Sequence, residues 1–273
     1  KTAGEVQGTW IITLSSKLAP FAVWLCVNCK WKYKSKKDWQ KFVLEEIVMD
    51  FEKSKTKENL ARLFAGECQD GARYQFIAKT AKAQGFSYIS DTMKLLAKNE
   101  MAHASVIYEL LVTHGGKDIK NIEITAGYPF EECNLEKGMK GCSGAELSQS
   151  KNIYPHFAKI AKDEGFADIS EKLLLIADVE YEHSVILSTL DKLYKTKKLY
   201  KSAQAKIWKC SNCGNEKKSK QAWQECPLCS YPQGYVEIDL KHECACHDPE
   251  CKCNWSKKLN IKKNTSKIND VFF

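Results

Sequence analysis

The chain has 273 residues, a formal net charge of +8 and thirteen cysteines. Runs of about 18 apolar residues are lacking, so we predict no transmembrane helix. This many cysteines without a convincing secretion signal favours metal binding in a reducing compartment over a secreted disulfide scaffold. The positive charge is most simply a solvated lysine surface; docking of an acidic electron carrier and non-specific nucleic-acid binding are alternatives, and no recognised nucleic-acid module supports the latter.

The first segment, residues 1–48, contains one Cys-x-x-Cys pair, Cys26 and Cys29, in a context that recurs around Trp208 at an offset of 184. The second pair needed to close a tetrahedral thiolate cage is missing. We therefore interpret the segment as a degenerate half-copy of the downstream domain; ligands borrowed from elsewhere are the less favoured alternative. It is expected to be a fused remnant or a mistaken upstream extension, and a poor signal sequence at 11–25 is a third alternative.

The pattern Glu-x-x-His occurs twice, as Glu100 with His103 and Glu180 with His183, 80 residues apart. A carboxylate and an imidazole three residues apart point the same way from a helix. The neighbours repeat in register, and each copy predicts two helices hinged at a Gly-Phe pair. The repeated positions include Tyr74, Gly85 and Phe86 in the first copy, and Tyr154, Gly165 and Phe166 in the second.

The repeat also predicts where two further carboxylates lie. Glu67 precedes the first hinge by 18 residues and Glu100 follows it by 15, so antiparallel helices bring them to heights of about 27 and 22 Å from the turn. The same arithmetic pairs Glu146 with Glu180. Four carboxylates and two imidazoles thus converge at one level, where two divalent cations would neutralise the buried negative charge. A single Glu-x-x-His is usually a solvated helix face, but the matched duplication favours a dinuclear metal site.

The third helix of this bundle contains Gly138, Gly141 and Gly144. Each glycine costs a helix about 1 kcal/mol relative to alanine. We therefore expect this helix to start late or to be irregular, which makes Glu146 the least secure carboxylate of the four.

A second metal-binding pattern lies downstream, where Cys210 and Cys213 are followed after twelve residues by Cys226 and Cys229. Two Cys-x-x-Cys pairs at this separation hold one metal in a tetrahedral thiolate cage. The spacing alone does not separate iron from zinc, because both accept four thiolates. Disulfides are a weaker alternative.

The tail is rich in further metal-binding residue types, namely His242, Cys244, Cys246, His247, Cys251 and Cys253. An additional zinc or other soft-metal site and a disordered, thiol-rich tail are equally favoured interpretations. We assign no role to Cys68, Cys133 and Cys142.

Together these motifs, in this order, resemble the rubrerythrin family of ferritin-like di-iron proteins. The resemblance runs from about Met49 to Ile238 and includes Phe64-Ala-Gly-Glu67, both Glu-x-x-His motifs and the two Cys-x-x-Cys pairs. It implies an all-α ferritin-like four-helix bundle followed by a small rubredoxin-like iron-thiolate β/loop domain. The expected domains are a 1–48 extension, a 49–200 di-iron bundle, a 204–239 FeCys4 domain and a 240–273 tail that is rich in Cys and Lys and disordered.

The resemblance also implies a ligand set and roles for it. The di-iron ligands would be Glu67, Glu100, His103, Glu146, Glu180 and His183, and a third iron would be held by Cys210, Cys213, Cys226 and Cys229. Glu100 and Glu180 would bridge the two irons. Tyr74 and Tyr154 match family tyrosines beside the site, where they would orient carboxylates; buried core aromatics with a hydrogen-bonded hydroxyl are the alternative.

One position departs from the family. The family pattern has a further carboxylate three residues after Glu146, which replaces a histidine on one iron as the oxidation state changes, whereas this chain has Gln149. A neutral amide favours the ferric state less than a carboxylate does. We therefore predict a higher reduction potential and ligation by His103 in both oxidation states.

The function implied is a cytoplasmic, non-haem peroxidase that reduces hydrogen peroxide to water. Electrons would come from an NAD(P)H-linked reductase or a rubredoxin through the thiolate iron, and the family resemblance implies a head-to-tail homodimer. Without a Gly-x-Gly-x-x-Gly loop, the chain is not expected to bind the nucleotide itself. The alternatives are an iron-storage or metal-buffering protein and a structural zinc protein.

Overall fold

A computed structural model of the chain describes residues 50–116, 121–128, 130 and 134–240. Three features of the sequence lie outside the described residues: the Cys26–Cys29 pair of the degenerate half-copy, Cys133, and the cysteine-rich tail after residue 240. The interpretations of those segments therefore stay predictions.

Within these ranges the chain forms an α-helical region followed by a small β/loop domain. The helices are α1 (Lys55–Ala83), α2 (Ser87–Gly115), α3 (Leu135–Ser148), α4 (Tyr154–Asp163) and α5 (Ala167–Lys195), and the strands are β1 (Lys201–Lys209) and β2 (Glu216–Gln221). The strands pair antiparallel, with Trp208 opposite Lys217. A π-helical turn, Gln149–Ile153, joins α3 to α4. The predicted order of an all-α region and a strand-containing thiolate domain is confirmed.

The chain divides into two compact units. Among the described residues, the first comprises 50–69, 100–116, 121–128 and 154–174, and the second comprises 70–99, 130, 134–153 and 175–240. Helices α1, α2 and α5 contribute residues to both units. None of the helices in the described ranges combines the length and the apolarity that crossing a bilayer requires.

Both predicted Gly-Phe hinges are present and have the same geometry. Gly85 and Gly165 adopt positive φ values of 83° and 94°, a conformation that glycine accepts without steric cost. In each hinge the phenylalanine N–H reaches back to a carbonyl five residues earlier, which ends the helix with a Schellman motif. These bonds join Phe86 to Ala81 at 2.9 Å and Phe166 to Ala161 at 2.8 Å.

The expectation that the glycines make the third helix start late is wrong, whereas the alternative of an irregular helix agrees with the structure. Helix α3 begins at Leu135, before all three glycines, and the Asn134 side chain caps it by accepting a hydrogen bond from Lys137 N at 2.8 Å. The irregularity is the π-turn that follows the glycines. Gly138 serves packing instead, because a Cβ there would lie 3.0 Å from Ile77 Cδ1 on α1.

The second unit has a continuous apolar core that includes the end of the thiolate domain. Ile238 packs in the same cluster as Leu199 and the bundle residues Ile89 and Leu187. Burying these side chains in one cluster fixes the thiolate domain to α1, α2 and α5 within this unit. A separate small core of Trp208, Ala222 and Val236 supports the thiolate domain itself.

A very close backbone contact lies at the same junction. A Cβ built on Gly234 would lie 1.7 Å from Gly85 O, at the turn between α1 and α2. Beside it, Lys82 Nζ donates a hydrogen bond to Tyr235 Oη at 2.9 Å and lies 4.8 Å from the centroid of its ring. Only glycine fits at position 234 in this arrangement.

The first turn of α1 in the first unit is capped by a residue distant in sequence. The carboxylate of Glu164 accepts hydrogen bonds from the backbone N–H groups of Lys55 at 3.1 Å and Thr56 at 2.9 Å. Although desolvation opposes it, these bonds and that from the Thr56 hydroxyl hold the pKa of Glu164 below its ordinary value. A carboxylate at this position satisfies N–H groups that the helix itself leaves without partners.

We expect Glu164→Gln to lower the free energy of unfolding by about 1 kcal/mol at neutral pH. Because folding lowers the pKa of Glu164, its stabilising effect is present above the pKa of the unfolded state and is lost as pH falls through the pKa of the folded state. Urea unfolding at several pH values measures this difference. Glu109→Gln, at an exposed position of α2, is the matched control. If Glu164→Gln left the protein as stable as wild type at pH 7, the capping role would be contradicted.

Replacing Gly234 by alanine is expected to displace the thiolate domain from the α1–α2 turn, since the added methyl group would overlap Gly85 O. Hydrogen exchange of the backbone amides at 85–88 should then become faster, while the four-cysteine site still binds metal. The control is Gly144→Ala, where a Cβ meets no atom within 4 Å and a gain of about 1 kcal/mol in helix stability is expected. Unchanged exchange in Gly234→Ala would show that the contact is not needed for docking.

Candidate metal centres

A buried group of three potential ligands lies in the first unit. His103 Nδ1 lies 3.0 Å from Glu100 Oε2, which is three residues earlier on α2, and 3.3 Å from Glu67 Oε2 on α1. Glu67 and Glu100 are only 2 % and 1 % exposed. The predicted pairing of Glu67 with the first Glu-x-x-His motif is therefore present.

A corresponding group lies in the second unit, formed by Glu146 of α3 with Glu180 and His183 of α5. His183 Nδ1 lies 3.0 Å from Glu180 Oε2, and one ligand atom from each of the three residues lies within 4.8 Å of the others. Glu146 and Glu180 are 1 % and 0 % exposed. The structure thus brings together all six residues of the sequence-predicted set, as two groups of three.

Each group suits one divalent cation. In both groups an imidazole nitrogen and a carboxylate oxygen of one helix are 3.0 Å apart, which is about the separation of two ligands at right angles with bonds near 2.1 Å. Two buried carboxylates in each group carry the charge that one divalent ion balances. A mixed set of imidazole and carboxylate ligands is a type that iron accepts.

Two fully buried tyrosines donate hydrogen bonds to these carboxylates. Tyr74 Oη on α1 donates to Glu146 Oε1, and Tyr154 Oη on α4 donates to Glu67 Oε1. Each tyrosine therefore contacts the carboxylate that belongs to the other half of the sequence repeat. An O–H donor that is fixed in place orients the carboxylate, so that its second oxygen can face a metal ion.

The π-turn explains how both tyrosines reach equivalent places. Tyr74 follows Glu67 by seven residues, whereas Tyr154 follows Glu146 by eight. A π-helical turn accommodates one extra residue in a helix, and the turn at Gln149–Ile153 lies between Glu146 and Tyr154. The repeat is thus maintained at the site despite the inserted residue.

Sequence reasoning missed three polar residues near the proposed ligands, namely Asp70, Arg73 and Asn99. Gln149 Nε2 donates to Asp70 Oδ2 at 2.8 Å, and Arg73 Nη1 lies 3.3 Å from Asp70 Oδ1. The Asn99 side chain lies 3.3 Å from His183 Nε2, where an amide fixes the orientation of the ring. A usable signal existed for Asp70, which follows Glu67 by three residues just as Gln149 follows Glu146; the sequence offers no comparable signal for Asn99.

The four-cysteine site is built from two equivalent turns. Gly214 N–H donates to Cys210 O at 2.8 Å, and Ser230 N–H donates to Cys226 O at 2.9 Å. Gly214 and Ser230 both have positive φ values, of 75° and 58°, and Ser230 adopts a conformation that is uncommon for a residue other than glycine. These turns point the four sulfur atoms at one another.

The spacing of the sulfur atoms fits a tetrahedral metal. Cys210 Sγ lies 3.8 Å from Cys229 Sγ, and Cys213 Sγ lies 3.7 Å from Cys226 Sγ. Four thiolates with bonds of about 2.3 Å are separated by about 3.8 Å in a tetrahedron. Although desolvation raises it, the Tyr231 N–H and the Asn212 side chain help to lower the pKa of Cys229 to about 6. The Asn215 N–H lowers the pKa of Cys213, but desolvation and hydrogen bonds with the other three cysteines raise it overall, so Cys229 is the sulfur that more readily forms the thiolate.

The other described cysteines lie apart from this cluster. Cys142 is buried in the apolar core of the second unit. Cys68 follows Glu67 and is half-buried, and its pKa is raised by desolvation and by the negative charge of Glu67. Neither sulfur is among the described groups of potential metal ligands.

The chain is similar in sequence to proteins of one known family. The family pattern described as Rubrerythrin matches residues 58–190. Rubrerythrin-1 of Clostridium acetobutylicum is 38 % identical over 68 % of this chain and 94 % of its own length, and the rubrerythrin of Nitratidesulfovibrio vulgaris is 30 % identical over 68 % and 94 %. A solved structure of nigerythrin in a mixed-valence state is 21 % identical with a TM-score of 0.45, and covers 70 % of this chain and 94 % of its own. The chain therefore belongs to the rubrerythrin family, with that family's ferritin-like four-helix bundle, di-iron site and four-cysteine site for a rubredoxin-type iron.

Proposed function

We propose that this member of an oxidoreductase family is a peroxidase that reduces hydrogen peroxide: H2O2 + 2 e⁻ + 2 H⁺ → 2 H2O. The observation that carries the proposal is the presence, in one chain, of two buried carboxylate–imidazole groups and a four-thiolate site. A site that accepts single electrons is useful for reloading a two-electron site, whereas iron storage has no need of it.

The proposed ligands divide by site. The di-iron pair would be held by Glu67, Glu100, His103, Glu146, Glu180 and His183, among which the family resemblance implies bridging roles for Glu100 and Glu180. The thiolate iron would be held by Cys210, Cys213, Cys226 and Cys229. Bound iron supplies two electrons and polarises the peroxide O–O bond. The protein supplies the fixed orientation of the carboxylates, for which Tyr74 and Tyr154 are positioning residues.

The proposed domains are the 49–200 bundle and the 204–239 thiolate domain, with 1–48 and 240–273 as an extension and a tail. With iron bound, the four-cysteine site would accept electrons in the cytoplasm from an NAD(P)H-linked reductase or rubredoxin and would supply them to the di-iron pair. A head-to-tail homodimer shortens the distance between the two kinds of site. The exposed side chain of Leu228, between Cys226 and Cys229, supports access of a donor protein to the thiolate iron.

Tyr154→Phe is expected to lower the affinity of the di-iron site for Fe(II) by about 10- to 100-fold, because Glu67 loses the donor that orients it. Anaerobic competition with a chelator measures this affinity. Tyr108→Phe is the matched control, since Tyr108 is exposed. Equal affinities for Fe(II) in the two variants would contradict a positioning role for Tyr154.

The reaction is tested by anaerobic titration of the reduced, iron-loaded protein with hydrogen peroxide, followed in the visible spectrum. Both iron centres should reoxidise, and far faster than with oxygen. Cys226→Ser should lose the thiolate iron but keep two irons per chain. Peroxide should still oxidise these two irons, whereas a reductase should no longer reduce them again. A di-iron site that stays ferrous with peroxide would instead favour iron storage, and zinc at the cysteines with little iron in the bundle would favour a structural zinc protein.

A further inference from the structure

We propose that Asp70 is a positioning residue for the di-iron site: it holds Gln149 in place and supplies, from α1, the carboxylate charge that the family pattern places at position 149. In this arrangement the charge of Asp70 offsets the higher reduction potential that Gln149 alone predicts. The inference rests on the proposed ligand set. It starts from the partly buried hydrogen bond between the Gln149 amide and the Asp70 carboxylate, whose atoms are 2.8 Å apart.

The direction of this hydrogen bond is determined by chemistry. An ionised carboxylate only accepts hydrogen bonds, so the amide nitrogen of Gln149 must face Asp70. Asp70 is 5 % exposed, and a buried carboxylate is stable only when it is paired and hydrogen-bonded. Arg73, at 3.3 Å, provides the opposite charge.

The two residues occupy equivalent places in the repeat. Asp70 follows the proposed ligand Glu67 by three residues, and Gln149 follows the proposed ligand Glu146 by three. Side chains three residues apart share a helix face, so both residues lie one turn from a ligand. In this chain the carboxylate of the pair is at position 70 and the amide is at position 149, whereas the family pattern has the carboxylate at position 149.

The segment around Gln149 is held on both sides. Gln149 opens the π-turn, and its backbone N–H bonds to carbonyls of α3. Two residues later, Lys151 Nζ lies 4.3 Å from the ring centroid of Tyr181 on α5. A side chain anchored in this way is a fixed neighbour of Glu146.

The test compares iron-loaded full-length wild type with Asp70→Asn, Gln149→Glu and the double variant that swaps the two groups. Asp70→Asn keeps the size and the hydrogen bond but removes the charge. We expect it to lower the ferric-to-ferrous ratio of the di-iron pair at a fixed potential by about tenfold, because removing a nearby negative charge at an effective dielectric of about 20 disfavours ferric iron. The thiolate iron of the same molecule is the internal reference and should not change. The swap should return the ratio toward that of wild type.

Gln149→Glu alone places two carboxylates face to face, so its midpoint of urea unfolding should fall, and the swap should restore it. Asp91→Asn, which removes an exposed carboxylate of α2, is the control for charge removal. The inference is overturned if Asp70→Asn shifts the potential no more than Asp91→Asn, or if the swap rescues neither property. Fewer than two irons per wild-type bundle would indicate failure of the proposed ligand set instead, and the urea midpoints would then still decide the Asp70–Gln149 pairing.

Discussion

The burial of carboxylates is the constraint on which the rest of this structure depends. Four glutamates, Glu67, Glu100, Glu146 and Glu180, are at most 2 % exposed, and each would carry a large desolvation cost without compensation. In the proposed sites cations would supply the opposite charge and the histidines would complete the coordination. Two tyrosine hydroxyls hold individual carboxylate oxygens in place. The long helices provide a rigid support for these side chains.

The duplication in the sequence is reproduced at the site, but not as a perfect copy. One extra residue in the second half is taken up by a π-turn, which keeps Tyr154 equivalent to Tyr74 and places Gln149 at the start of the irregular segment. Asp70 and Gln149 then lie at matching positions with different chemistry. The two groups of proposed metal ligands are otherwise similar. Small asymmetries of this kind place different charges near them, which is a means of giving the two irons different reduction potentials.

The thiolate domain is closely packed against the helices of the second unit. Ile238 joins the apolar core, Gly234 allows backbone contact at the α1–α2 turn, and Lys82 bonds to Tyr235. Electron transfer is sensitive to distance, so a domain held by packing gives a more constant geometry than one on a flexible linker. The contact requires a residue without a side chain, which is why a single methyl group at position 234 is enough to disturb it.

The sequence by itself determined the helix pairs, both hinges and the two metal-binding motifs, because each depends on local spacing. Glu-x-x-His shares a face through helix geometry, Gly-Phe ends a helix through a positive φ, and Cys-x-x-Cys forms a turn within a few residues. The glycines of α3 did not delay the helix, because the Asn134 side chain caps its start before them and because Gly138 allows Ile77 of α1 to pack closely. The reciprocal tyrosine bonds, the Asp70–Gln149 pair and the Gly85–Gly234 contact were decided only by tertiary structure, because each joins residues between 72 and 149 positions apart, and no local pattern specifies which helix faces meet.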